Sequence, residues 1–174
     1  LGDIGAGNSP YMSPSAFAGN VLLIGLDALR EAGWLKDEEL VPDASFEEYR
    51  VNFPAVIAFR ISRLKLAASR FRESASEQAR LAFENFCDKT GFWLQSYALF
   101  KTISEVYGAI WQEWPKPLAK QQPAAIDAFV SGHPNEIHFW KFCQWCFHEQ
   151  WTALRSYAHS KGIDIIGDVP IFVS

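Results

Sequence analysis

The sequence has 174 residues, 49% of them apolar and 21% charged, with a net charge of −4. That length holds one domain with a real core, and that composition excludes a disordered chain. The acidic balance lacks the basic stripe that a nucleic-acid partner requires, and no apolar run is long enough to span a bilayer.

The opening stretch LGDIGAGNSPYMS has neither the basic nor the apolar region of a signal peptide, and it has no initiator methionine. Three cysteines, an odd number, make no disulfide framework, so the expectation is a soluble cytoplasmic protein. Residues 1–20 read as loop, rich in the Gly, Ser, Asn and Pro that make turns. A short helix follows in LLIGLDALREAGWL, with Leu26, Leu29 and Arg30 at helical spacing and Gly33 placed to end it. VPDASFEEYRVNFP reads as a linker.

From about Pro54 the pattern is helical, with Ile57, Ile61, Leu64, Ala68 and Phe71 on one stripe. Ser74 with Glu77 resembles a capping box for a next helix, which turns Ala79, Ala82, Phe83 and Phe86 inward and stops at Gly91. FWLQSYALFKTISEVYG predicts a separate helix ending at Gly108. EWPKPLAKQQP breaks the pattern, and AAIDAFVSGH gives a short helix. Pro134 sits at a first helical position. The helix it opens repeats Ile137, Trp140, Gln144, Phe147, Trp151, Leu154 and Ala158, with Phe139, Cys143 and Cys146 as a second stripe. Gly162 ends it, and IDIIG is the one convincing strand, delivering Asp168 at its end. A lone strand, apolar on both faces, asks for parallel neighbours that this sequence does not supply, so the chain reads as part of an α/β barrel.

Three features bear on chemistry. In the strand, Ile166 and Asp168 share a side. At a barrel's C-terminal rim such a carboxylate serves the site, while as a turn cap it serves only the backbone. In GNSPYMS, Pro10 restricts Ser9 to extended geometry, and the loop presents a hydroxyl and an aromatic ring. That suits a polyhydroxylated ligand or simply an ordinary turn. Seven tryptophans fit either a sugar-stacking surface or a large aromatic core. Cys143 and Cys146 form a C-x-x-C, but mid-helix on an apolar stripe they read as buried thiols, and no metal is expected.

Several blocks together, LGDIGAGNSPYMSPSAFAGN, FWLQSYALFKTISEVYGAIWQEWPKPLA and HFWKFCQWCFHEQWTALRSYAHSKGIDIIGDVPIFVS, resemble the 4-α-glucanotransferases, or amylomaltases, of glycoside hydrolase family 77. Residues 36–90 match weakly. The resemblance implies an α/β fold, a fragment of a (β/α)8 TIM barrel that is mostly α-helical in this part. Residues 1–20 would be the end of barrel strand 2 and a substrate-binding loop, 21–134 a helical insert, and 135–174 a barrel helix plus strand 3. The remaining strands would lie outside the chain. It further implies retaining transfer of α-1,4-glucan segments between maltooligosaccharides, with no cofactor. The catalytic carboxylates would come from later strands, so no catalytic residue is assigned here and the fragment alone is expected to be inactive. Ser9 and Tyr11 match the S-P-Y loop, and Asp168 matches the acidic residue ending strand 3, all three substrate-binding. Ala6 stands where many members carry an aromatic residue of a secondary glucan site, and Gln95–Ser96 differ from the acidic residue common before Tyr97. The alternatives are an α-glucan hydrolase on the same barrel and a non-catalytic glucan-binding or helical interaction module.

Overall fold

The computed structural model describes residues 2–4, 9, 11–42, 46–47, 49–167 and 172–173. Six α-helices carry them: α1 (Leu26–Glu31), α2 (Phe53–Ser74), α3 (Glu77–Tyr107), α4 (Lys116–Ala119), α5 (Pro123–Gly132) and α6 (Pro134–Ser160). Their ends follow local chemistry. Asn52 caps α2 by accepting from the Ala55 N–H, and Pro54 occupies its first turn, where no intrahelical N–H is needed. Gly33, Gly108 and Gly162 each stand at a helix-terminating turn with positive φ (79°, 92° and 71°), a backbone region open to glycine at little cost.

Two boundaries differ from the sequence reading. The cap of α3 is Ser76, whose Oγ accepts from the Ala79 N–H at 3.2 Å; Ser74 instead donates its Oγ–H to Arg70 O inside α2. The helix then continues unbroken through Gly91, joining the two helices expected there into one of 31 residues. A mid-helix glycine costs only about 1 kcal/mol against alanine. Burial of Phe86 on one side of Gly91 and of Leu94, Tyr97 and Ala98 on the other outweighs it. Ala82, expected inward, is exposed.

The core lies where α2, α3 and α6 meet, with α3 and α6 the principal pair. Phe71 of α2 is its hub: the rings of Trp34, Phe142 and Trp145 all stand 5.1 Å from it, and Phe83 stands at 5.4 Å. The turn at Gly33 delivers Trp34 into this cluster. Both stripes of α6 are buried over its first half, as its breadth demanded. Cys143 and Cys146 lie among them as free thiols, pushed up by burial in apolar surroundings. A second, smaller core of Ile103, Trp114, Leu118 and Phe129 joins the end of α3 to α4 and α5. Trp114, Trp140 and Trp145 are buried, whereas Trp111 is exposed. Among the described residues, no helix is long and apolar enough to cross a membrane.

Over the stretch expected as a strand, Ile163–Asp168, the described residues form no ladder. Residues 163–167 carry no regular secondary structure, and Asp168 lies outside the described residues. A strand exists only through a ladder, and among the described residues none runs beside 163–167. Ile166 is accordingly 96% exposed. Parallel pairing is nonetheless present further on: β1 (Met12–Ser13) pairs with β2 (Phe172–Val173), Met12 opposite Phe172. Such a pairing needs a long crossover, and all six helices supply it.

Candidate functional site

Serine hydroxyls shape the first loop. Ser9 Oγ accepts from the Tyr11 N–H at 3.3 Å, and Ser9 O accepts from the Met12 N–H at 3.4 Å. The buried Ser13 donates its Oγ–H to Ser15 O at 2.7 Å and accepts from the Ser15 N–H. Ser15 Oγ in turn accepts from the N–H groups of Phe17 and Ala18. These side-chain turns replace ladder bonds over the described residues from 11 to 18. The loop brings Ser9 and Tyr11 together and leaves the Tyr11 side 46% exposed. The β1–β2 pairing sets the backbone of Phe172–Val173 beside Met12–Ser13. Of the three residues expected to bind substrate, Asp168 is outside the described residues, as is Ala6.

The neck of this loop is closed and anchored. Gly2 pairs antiparallel with Gly19, and the Asp3 N–H donates to Ala18 O at 2.9 Å. Asp3 is 2% exposed, and its Oδ2 accepts from the Tyr97 hydroxyl at 2.8 Å and from Lys101 Nζ at 3.3 Å. Burial beside that carboxylate pushes the Tyr97 phenol well up, so it stays a proton donor. Gln144 of α6 completes the cluster. Its Oε1 accepts from the Gly19 N–H at 2.8 Å, and its Nε2 donates to Gly19 O at 3.0 Å and to the Tyr97 hydroxyl at 3.4 Å. The side-chain amide thus acts as a surrogate strand for one residue. Every buried polar group in this chain of contacts has a partner, the condition under which such a network is rigid.

Two neighbours tighten the arrangement. Gly19 packs so closely on Phe147 that a Cβ there would lie 2.1 Å from the ring. Six residues along α6, Gln150 repeats the clasp on Gly25, accepting from its N–H at 2.7 Å and donating to its carbonyl at 3.2 Å. Lys101 also stands 4.5 Å above the Trp140 ring, whose indole N–H donates to Glu105.

The sequence reading missed Asp3 and the role of Tyr97 and Gln144. One signal existed: Gln144 sits within an otherwise apolar stripe, and a polar side chain there must find a buried partner. Among the described residues, no cluster of three or more His, Cys, Asp or Glu side chains is arranged to hold a metal ion. A cavity of about 230 Å³ opens between α2 and the first turns of α6; among its lining residues Arg72 bonds Asn135, Ser69 bonds Glu73 and Lys65 bonds Glu105.

The 4-alpha-glucanotransferase family model matches residues 1–174. The chain is 42% identical to the 4-alpha-glucanotransferase of Thermus thermophilus, over all of this chain and 34% of that protein. It is 37% identical to that of Synechocystis, over all of this chain and 35% of the relative. Among solved structures, an amylomaltase from Streptococcus agalactiae in complex with acarbose superimposes with a TM-score of 0.90 at 31% identity, over all of this chain and 35% of that one. The chain therefore spans about a third of the length of the relatives it matches. Matched along its whole length in sequence and in fold, it belongs to the 4-alpha-glucanotransferase family, glycoside hydrolase family 77.

Proposed function

We propose that this chain serves an enzyme that cleaves an α-1,4 bond of a maltooligosaccharide or larger α-glucan and passes the released segment to the hydroxyl of another sugar. The observation that carries this reading is the anchored Ser9–Tyr11 loop, in a chain matched from end to end by the family. A tyrosine ring offers an apolar face to a pyranose, and a serine hydroxyl both donates and accepts. Asp168 completes the binding set in this proposal. The helices form an insert (21–134) between barrel strands 2 and 3, followed by a barrel helix and strand 3 (135–174).

The chemistry is a retaining double displacement. A carboxylate attacks the anomeric carbon while a second carboxyl protonates the leaving oxygen; the same group then deprotonates the acceptor hydroxyl. Both carboxylates come from outside residues 1–174, and no cofactor takes part. Transfer prevails over hydrolysis because a bound acceptor hydroxyl, held in place, outcompetes water. Buried free thiols at Cys143 and Cys146 suit a reducing compartment, and we place the enzyme in the cytoplasm.

Incubation of the full-length protein with maltotriose tests the proposal. Glucose and longer oligomers should form with no net gain in reducing ends. A rise in reducing ends matching each bond cleaved identifies a hydrolase instead, and binding without any product identifies a non-catalytic module. Residues 1–174 alone are expected to give no product.

A further inference from the structure

We propose that Asp3, Tyr97 and Gln144 are positioning residues for the glucan: they set where the loop carrying Ser9 and Tyr11 stands, and so how tightly substrate is held. This rests on the proposed role of that loop and extends it to residues that touch no sugar.

Three observations carry the inference. First, among the described residues the two sides of the loop meet where Gly2–Asp3 lies against Ala18–Gly19, and the network grips both sides of this neck. Tyr97 and Lys101 hold Asp3 on the outgoing side, and Gln144 holds Gly19 on the returning side. Second, Tyr97 and Gln144 bond to each other, so the α3 and α6 anchors form one unit and neither side of the neck can shift alone. Third, a lone polar cluster in an apolar core is poor at adding stability. Replacing such groups with apolar ones of similar shape is often close to neutral, so the geometry it enforces is what the arrangement supplies. Beyond the neck, the described loop residues are held by the serine turns and by the short β1–β2 pairing. A small rotation at the neck is therefore carried to Tyr11, and displacements near 1 Å are enough to weaken a bound substrate.

The test uses the full-length enzyme and the steady-state release of glucose from maltotriose. Tyr97→Phe keeps the buried ring and removes only the hydroxyl, while Gln144→Met conserves volume and removes the clasp. Both are expected to raise KM, by about tenfold if one hydrogen bond's worth of binding is lost. The kcat should stay within about twofold, because the reacting carboxylates are elsewhere. Acarbose, used as a competitive probe, should weaken by the same factor as KM rises. Ser9→Ala should also raise KM, and the Ser9→Ala/Tyr97→Phe double variant should show less than the product of the single effects, since both act through one loop.

A merely structural network would instead lower the amount of active enzyme, reducing apparent kcat at unchanged KM. That result, or effects of Ser9→Ala and Tyr97→Phe that simply multiply, overturns the inference. Should Gln144→Met fail to fold, Tyr97→Phe alone decides. If Ser9→Ala and Tyr11→Ala are both silent, the loop's own assignment fails and the inference with it; if Ser9→Ala raises KM beside a silent Tyr97→Phe, the network's role alone is lost.

Discussion

Gly19 shows how much one missing methyl group can matter. A Cβ at this position would meet Phe147 Cδ1 at 2.1 Å and Cγ at 2.5 Å, so the ring cannot clear it by moving only its tip. Gly19→Ala should destabilise the protein by about 1–3 kcal/mol, the range for overpacking a tight site. Urea unfolding should show it as a lower midpoint with unchanged slope, and Gly19→Ala/Phe147→Ala should recover part of the loss. Little of this scale was legible in the sequence. Asp3 reads as one more polar residue in a glycine-rich loop. Its partner Tyr97 lies 94 residues away and Gln144 lies 125 residues from Gly19, and no local pattern records such pairings. The turn-forming serines were legible because their bonds span two or three residues.

Helices and their connections follow rules of shorter reach, and one connection has a marked electrostatic signature. Glu39, in the short 3-10 turn Asp37–Leu40, accepts from both guanidinium nitrogens of Arg70 on α2 at 2.6 Å, and its side chain is 19% exposed. The Arg70 hydrogen bonds hold its carboxyl at about 2, below the usual 4.5. A depressed folded-state pKa means that the contribution to stability is complete above about pH 4.5 and fades as pH falls toward 2. Arg70→Met should therefore cost stability at pH 7 and flatten the pH dependence between 4.5 and 2, seen in thermal midpoints across that range. At this scale the sequence was informative. The start of α6 at Pro134, the end of α3 at Gly108 and the end of α6 at Gly162 rest on local cap chemistry. The break expected at Gly91 did not occur because buried neighbours on both sides overrode a weak intrinsic preference. The stretch expected as a strand shows no regular structure over 163–167, because a ladder requires a partner and none of the described residues supplies one.

Across the whole molecule the surface is uneven. Phe17 and Phe92 are exposed and touch edge to face at 5.3 Å, with Trp93 stacked beside Phe17. At the far end of α6, Leu154 and Tyr157 are exposed, followed by Ile163, Ile165 and Ile166. So large an apolar display is unusual on a monomer and is what the proposed barrel placement would cover. Residues 1–174 alone should bind a hydrophobic dye and self-associate in sedimentation, whereas the full-length protein should do neither. A monomeric, dye-silent 1–174 would count against the barrel placement proposed above.

The two glutamine clasps also set a schedule for synthesis. Gln144 holds Gly19 and Gln150 holds Gly25, each across 125 positions. At translation speeds of about 5–20 residues per second, roughly 6–25 s pass between emergence of each glycine and of the glutamine that holds it. During that interval Gly19 and Gly25 lack the side chains that clasp them, so their final placement waits on a helix still inside the ribosome.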